Sequence, residues 1–184
     1  MTVSVRDARP NTADRLWIEG VYRDYLDDLA PLNTGIFPML GEFGHREPDH
    51  IARWFGDPSA VPLVILQSDR PAGFAMVARG GPRGPGKART DYRMAEFFVA
   101  RPHRRLGIGR TAVPLILDRF AGQWEITEYL RNPQAVQFWR RVVGAYTGGR
   151  YEEQVLNGEV HQFFESGSAV LRRERTNGNR PRRV

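Results

Sequence analysis

The sequence lacks cysteine and contains few histidines. None of its 184 residues is a cysteine, and only four are histidines. Without thiols the chain can form no disulfide framework, thiolate zinc site, iron–sulfur cluster or cysteine nucleophile. The histidines are scattered at positions 45, 50, 103 and 161, which is typical of surface and turn residues. We therefore expect no metal site.

Long apolar runs are also missing. No segment approaches the roughly 20 apolar residues that span a bilayer, and residues 1–7 lack the apolar core of a secretion signal. We expect no membrane contact and a cytoplasmic location. Hydrophobic residues nevertheless make up 41% of the chain, which is enough to bury a core. The length favours a single domain, which we assign to residues 1–170.

Positive charge is concentrated in two segments. The formal net charge is +6. Residues 172–184 carry six arginines and one glutamate, and residues 79–89 carry four basic residues and no acid. Subtracting +5 and +4 from +6 leaves −3 for the rest of the chain. We interpret residues 171–184 as a basic, disordered tail. Binding of RNA or another nucleic acid by the tail and the basic loop is the alternative.

Hydrophobic periodicity predicts eleven secondary structure elements. The strands are expected at 3–6, 61–66, 73–78, 92–99, 124–129, 151–156 and 159–164. The first helix is expected between the start signal at 10–12 and Pro31, and the others at 48–55, 111–120 and 134–143, with the third beginning near Gly107. Pro114 should kink the third helix unless it lies in the first turn. This order predicts an α/β fold with a mixed, partly antiparallel central sheet and helices on both faces.

The turn between the strand ending at Val99 and the third helix is rich in arginine and glycine. A helix N-terminus presents unpaired amides and attracts anions. Gly107 and Gly109 would let a phosphate approach the backbone closely, and three nearby arginines would add charged donors. A tight turn with nothing bound is the alternative. The segment matches neither the P-loop nor the dinucleotide fingerprint, because Ala112 stands where the latter has its third glycine.

Two segments carry a family resemblance. Residues 104–109, Arg-Arg-Leu-Gly-Ile-Gly, match the Gln/Arg-x-x-Gly-x-Gly/Ala signature of the GNAT N-acetyltransferases. Residues 132–139, Asn-Pro-Gln-Ala-Val-Gln-Phe-Trp, are similar to the Asn-x-x-Ala-x-x-Phe-Tyr segment that follows the fifth strand of that family. The resemblance extends to the element order up to about residue 170. It implies a GNAT-like fold and acetyl transfer from acetyl-CoA to an amine of a small molecule or peptide, by direct attack in a ternary complex.

The same resemblance implies a set of cofactor-binding residues. Amides of the signature turn would hold the CoA pyrophosphate, and the backbone at the end of the central strand would pair with the pantetheine arm. Asn132 would contact the cofactor near its thiol, although a role as helix N-cap explains this residue equally well. The full set is Phe98, Val99, Ala100, Arg104, Arg105, Leu106, Gly107, Ile108, Gly109, Arg110 and Asn132.

Transfer to an amine needs a base for the amine and an acid for the thiolate. Glu96, on the central strand, is the candidate base and would act through water. The alternative is that Glu96 faces outward or pairs with Arg93. Trp139 stands where the family has its Tyr, and an indole N–H cannot supply the proton, so we assign it to the core. Tyr129 and Tyr146 are candidate substitutes, and water is a third source.

The acceptor side is the least defined part of the sequence. By the same resemblance, Tyr25, Phe37, Met39 and Trp54 would line the acceptor wall, and nearby acids would favour a cationic amine. A homodimer is a further expectation from the resemblance. Because the family's Tyr is missing, a fold that binds an acyl-CoA without transferring it is an alternative to an enzyme.

Overall fold

The computed structural model describes residues 2–29, 50–82 and 89–167. Phe37, Met39, the basic residues at 83–88 and the tail at 171–184 lie outside the described residues, together with the predictions made for them. The predicted order of elements is confirmed. The strands and helices are β1 (Val3–Asp7), α1 (Thr12–Leu29), α2 (His50–Gly56), β2 (Ala60–Gln67), β3 (Arg70–Arg79), β4 (Tyr92–Val99), α3 (Ile108–Arg119), β5 (Gly122–Tyr129), α4 (Pro133–Thr147), β6 (Glu152–Leu156) and β7 (Glu159–Ser166).

The seven strands form one sheet in the order β1-β2-β3-β4-β5-β7-β6. The pairs β1/β2, β2/β3, β5/β7 and β6/β7 are antiparallel. Asn157 and Gly158 have positive φ angles of 52° and 82°, and Leu156 pairs with Glu159 across them. This geometry is that of a two-residue hairpin, as the Asn-Gly dipeptide predicts. The mixed, mostly antiparallel α/β sheet is confirmed.

Close packing divides the chain into two compact units. The first consists of Met1–Ala78 and Met94–Ala112, and the second of Arg79–Arg93 and Val113–Val184. The single domain assigned to residues 1–170 stays a prediction.

The first unit buries apolar side chains on both faces of its strands. Because side chains alternate along a strand, Val64 and Ile65 of β2 point to opposite faces. Val64 belongs to a core with Ile18, Tyr22 and Tyr25 of α1 and Trp54 of α2, together with Phe74 and Phe98. Ile65 packs instead with Ala72 and with Ile108 and Ala112 of α3. The predicted placement of helices on both faces is therefore confirmed within this unit.

The second unit contains β5, α4 and the hairpin formed by β6 and β7. Helix α4 packs against β5 and β7 and buries Val136, Trp139, Val142 and Val143. Trp139 is 6% exposed, so its assignment to the core is confirmed. The side chain of Asn132 caps α4 by accepting a hydrogen bond from the Ala135 amide at 3.1 Å. Gly148 ends the helix in the left-handed conformation with φ 62°.

Helix α3 begins at Ile108, three residues earlier than the periodicity predicts. Pro114 is its seventh residue and lies beyond the first turn, yet the helix continues through it to Arg119. Packing of Ile116 and Leu117 on the far side of the proline, both fully buried, offsets the lost backbone hydrogen bond. None of the helices in the described ranges is long and apolar enough to cross a membrane.

Candidate active site

Glu96 lies in a buried, aromatic environment in the first unit. Met94, Glu96 and Phe98 alternate on one face of β4 and are all buried. The Tyr25 hydroxyl of α1 donates a hydrogen bond to Oε2 of Glu96, and the Tyr25 ring lies 5.7 Å from that of Phe98. Arg93 is an odd number of residues away and points to the opposite face, so it does not neutralise this carboxyl. Glu96 therefore faces the interior, and the alternative that it faces outward is wrong.

The end of β4 leaves few free backbone groups. The Ala100 amide donates to Ala72 O at 2.9 Å, and its carbonyl accepts from the His103 amide at 2.8 Å. Successive strand residues direct their backbone groups to opposite edges, so Val99 points away from β3. Its carbonyl accepts from Arg104 Nε at 2.8 Å. Among the three residues predicted to pair with pantetheine, Val99 is the one whose N–H points away from β3.

The signature turn presents a row of free amides. Arg105 and Gly107 both adopt positive φ angles, of 63° and 79°, before α3 begins. The first bond of the helix runs from the Thr111 amide to Gly107 O at 3.0 Å. The amides of Ile108, Gly109 and Arg110 have no acceptor among the described residues. A Cβ at Gly107 would meet nothing within 4 Å. This open turn has the donors and the space that an anion needs.

Arg104 is held by an acid that the sequence did not pair with it. Its guanidinium binds Asp28 at the end of α1 and lies 5.2 Å above the Phe98 ring. Arg101 binds the same carboxylate at 2.7 Å. Partial burial acts to raise the pKa of Asp28, but the hydrogen bonds from Arg104 and Arg101 outweigh it and hold that pKa below its usual range. Arg105 and Arg110 are exposed and pair with no acid among the described residues.

The two tyrosines proposed as acids both belong to the second unit. Tyr146 donates a hydrogen bond to Oδ1 of Asp118 at 2.6 Å and accepts one from the Gly167 amide. Burial, followed by the bond to Asp118, raises the pKa of Tyr146 to about 12. A hydroxyl with that pKa and a committed proton is a poor acid at neutral pH. Tyr129 is half-buried on β5.

Sequence reasoning was wrong about His161, which lies on β7 and is 9% exposed. Its Nδ1 lies 3.1 Å from Oε1 of Glu125 and 3.2 Å from Oγ1 of Thr127. Its Nε2 lies 3.5 Å from Oε2 of Glu159. We call these four residues the His161 cluster. Hydrogen bonds to Glu125 and Glu159, opposed by burial, raise the pKa of His161 to about 9. The alternation Glu-x-His beside Glu-x-Thr was the signal in the sequence.

Glu128 is a second buried acid that the sequence reasoning missed. It lies on the α4 side of β5 and is 6% exposed, and neither of its oxygens has a hydrogen-bond partner among the described residues. Burial, and after it the charge of Glu153, raises the pKa of Glu128 to about 8. The folded protein therefore keeps this proton between the ordinary pKa and pH 8, whereas the unfolded chain releases it.

This difference predicts a pH-dependent effect of Glu128→Gln. Because the native pKa is raised, Glu128 lowers the free energy of unfolding progressively between about pH 4.5 and pH 8, and the cost is complete above pH 8. We expect the variant to gain about 3–4 kcal/mol on the wild type between pH 5 and pH 8. Urea unfolding at both pH values measures this gain. A difference that does not change with pH would contradict the buried, protonated state.

Among the described residues, no group of three or more His, Asp or Glu side chains is placed to hold a metal ion.

Comparison with known proteins identifies the family. A model described as the acetyltransferase (GNAT) family matches residues 18–145, which is more than half of the chain. No curated protein sequence matches. Three similar solved structures are a GNAT family acetyltransferase from Streptococcus agalactiae (15% identity, 89% of this chain and 95% of that chain, TM-score 0.60), an N-acetyltransferase from Thermoplasma acidophilum in complex with coenzyme A (10%, 90% and 99%, 0.54) and a dodecameric spermidine N-acetyltransferase from Vibrio cholerae (14%, 93% and 97%, 0.51). These likenesses show the fold. With the family model, they establish that the chain belongs to the acetyltransferase (GNAT) family.

Proposed function

We propose that the protein transfers an acetyl group from acetyl-CoA to an amine of a small molecule or peptide, by direct attack in a ternary complex. The observation that carries this proposal is the open turn at residues 104–110, which follows the strand that holds buried Glu96. An anion site and a buried carboxyl thus belong to the same compact unit. Family membership and the coenzyme A complex of a similar fold support acetyl-CoA as the donor.

The free amides of Ile108, Gly109 and Arg110 fit a pyrophosphate. They are the unpaired donors of a helix start, and the space over Gly107 is open. Arg105 and Arg110 would add exposed guanidinium groups, and the Val99 N–H would orient the pantetheine arm. In this arrangement Arg104 stabilises the turn by binding Asp28 and the Val99 carbonyl. When bound, acetyl-CoA supplies the activated acetyl group.

Glu96 would accept the proton of the amine through a water molecule. An ammonium cannot attack a thioester, so the amine must lose its proton first. Tyr25 fixes the carboxyl in place by donating a hydrogen bond to Oε2. Asn132 caps α4 through its side chain, so a contact with the cofactor would involve its remaining amide hydrogens. Tyr129 is the side chain we propose as proton donor, with water as the alternative.

The acceptor is proposed to be a cationic amine. Asp24 and Asp27 lie exposed on α1, close to the end of the helix that carries Tyr25. Tyr25 and Trp54, which we proposed for the acceptor wall, are both buried in the core of the first unit, and Tyr25 binds Glu96 there. Spermidine belongs in the first amine panel because the similar Vibrio cholerae structure is described as a spermidine N-acetyltransferase.

An oligomer is a further proposal. β6 is the edge strand of the sheet, and its Val155 and Leu156 are 58% and 51% exposed. Covering these side chains with a second copy would remove apolar surface from water. Light scattering measures the mass in solution directly.

Thermal melts with and without acetyl-CoA test the donor site. At 100 times its dissociation constant, acetyl-CoA should stabilise the fold by about 2.7 kcal/mol and raise the Tm by about 5–10 °C. Gly109→Trp should abolish the shift, because the indole would cover the free amides. Gly20→Trp is the matched control, since Gly20 is an exposed helical glycine with nothing within 4 Å of its Cβ.

Release of the CoA thiol with the amine panel separates the alternatives. A wild-type Tm shift together with turnover supports the transferase. A shift with no turnover for any amine would favour a fold that binds acyl-CoA without transferring it. If acetyl-CoA does not raise the Tm of the wild type, the assignment of acetyl-CoA as the donor is wrong.

A further inference from the structure

The strands β5, β6 and β7 have an unusual charge composition. They contain six glutamates and neither lysine nor arginine, although the whole chain has 27 basic residues and a net charge of +6. The pairing register divides these glutamates between two faces. Glu128 and Glu153 lie on the side of α4, where Arg140 binds Glu153 at 2.6 Å. The other four, Glu125, Glu152, Glu159 and Glu165, lie on the opposite face.

The His161 cluster lies within this acidic face. Glu159 is 2% exposed, and its Oε1 has no hydrogen-bond partner among the described residues. Its contact with His161 Nε2, at 3.5 Å, is long for a hydrogen bond and uses only Oε2. Leaving a buried carboxylate without donors costs free energy. The cluster holds two carboxylates and one imidazolium, so its net charge is negative. A buried carboxylate oxygen without a donor in such a cluster favours a ligand that carries positive charge and hydrogen-bond donors.

Access to the cluster is graded. The side-chain exposure rises from 3% at Glu159 through 11% at His161 to 23% at Glu125. A cation would therefore approach the cluster from the side of Glu125, its most exposed carboxylate. Because the raised pKa keeps His161 protonated at neutral pH, both ring nitrogens carry hydrogen and cannot ligate a metal ion. An ammonium or guanidinium group has the hydrogens that the carboxylate oxygens need.

We propose that the His161 cluster binds an organic cation, a primary ammonium or a guanidinium group, through the carboxylates of Glu159 and Glu125. Thr127 and His161 hold the two carboxylates in place. This binding site lies wholly in the second unit and does not rest on the proposed function.

Binding and the charge of His161 should be coupled. Among the described residues, the groups that face the imidazole are Glu125 and Thr127 on β5, Glu159 on β7 and Gln154 on β6, with Glu152 bound to Gln154. The charge of Glu128, on the other face of β5, also interacts with His161. A bound cation beside them disfavours the imidazolium. Binding should therefore tighten as the pH rises from 7 to 10, and saturation should lower the pKa of His161.

The test uses the full chain and 1,4-diguanidinobutane, whose two groups stay charged over this pH range. Calorimetry at low ionic strength should show affinity that rises about tenfold between pH 7 and pH 10. NMR titration of the histidine ring, assigned with His161→Gln, should show the pKa of His161 lowered by about 1 unit in the presence of the probe.

Glu159→Gln should weaken binding at least about tenfold. Glu165→Gln is the matched control, because it makes the same change on the same face and strand, and we expect less than about a threefold effect. Glu125→Gln replaces Glu159→Gln if the latter melts below the assay temperature. If Glu159→Gln and Glu165→Gln weaken binding equally, the probe is attracted by the general negative charge of the face, and the site is overturned. The absence of binding at 10 mM probe, or a pKa of His161 that the probe does not change, would also overturn it.

This experiment contains no acetyl-CoA, so its outcome is separate from that of the proposed function. Probe binding without acetyl transfer to any amine would leave the cation site and remove the transferase. Transfer to amines without probe binding at the cluster would support the transferase and remove the cation site.

Discussion

Replacing Glu96 with glutamine should lower kcat for acetyl transfer by about 10²- to 10⁴-fold, the contribution expected of a positioned general base. The amide has nearly the same shape and keeps an oxygen that can accept from the Tyr25 hydroxyl, so the fold should survive. It cannot take a proton from the acceptor amine. Steady-state kinetics with the best amine of the panel measure the effect.

The donor site should not change in this variant. We expect the Tm shift produced by acetyl-CoA to be the same in Glu96→Gln and in the wild type, because the open turn does not use the carboxyl. Glu19→Gln is the matched control on α1, where the carboxylate forms a surface ion pair with Arg15, and its kcat should equal that of the wild type. A wild-type kcat in Glu96→Gln would falsify the assignment of this residue as the base.

Phe74→Ala should lower the free energy of unfolding by about 3–5 kcal/mol. Phe74 is fully buried, and its ring contacts those of Tyr22, Tyr25 and Phe98 at centroid distances of 5.5–6.0 Å. The neighbouring Gly73 cannot carry a side chain, because a Cβ there would collide with the carbonyl oxygen of Phe98. β3 and β4 are therefore already in close contact at this point.

Urea unfolding measures this loss. Leu115→Ala is the control, since Leu115 is 41% exposed on α3 and should change the stability by less than about 0.5 kcal/mol. Because Tyr25 and Phe98 flank Glu96, the Phe74 variant should also lose activity below its melting temperature. A destabilisation under 1 kcal/mol would show that the aromatic cluster is not the core of the first unit.

The elements and the signature turn could be predicted because their signals are local. Alternation over a few residues identifies strands, three- and four-residue steps identify helices, and the Asn-Gly dipeptide marks the last hairpin. The turn at residues 104–109 is likewise a short contiguous pattern. Its match to the GNAT signature agrees with the family model and with the fold of the similar structures.

The partners of the site residues could not be predicted in this way. Tyr25 and Glu96 are 71 positions apart, and Arg104 and Asp28 are 76 apart. Nothing in the local pattern distinguishes Asp28, which binds two arginines, from Asp24 and Asp27 beside it. Pairs of this kind depend on which helix packs over which strand.

His161 shows most clearly the difference between what a local sequence pattern predicts and what the packing of the fold decides. Its strand ends a hairpin, which reads locally as a polar edge, so the histidine was expected at the surface. The sheet instead places β7 between β5 and β6, so that Glu125 and Thr127 flank the imidazole from one side while Glu159 precedes it. Element type, the turn and the family follow from short-range patterns in the chain. Burial, pairing and the raised pKa values of His161 and Glu128 follow from strand order and packing, because burial and charge proximity are properties of neighbours in space.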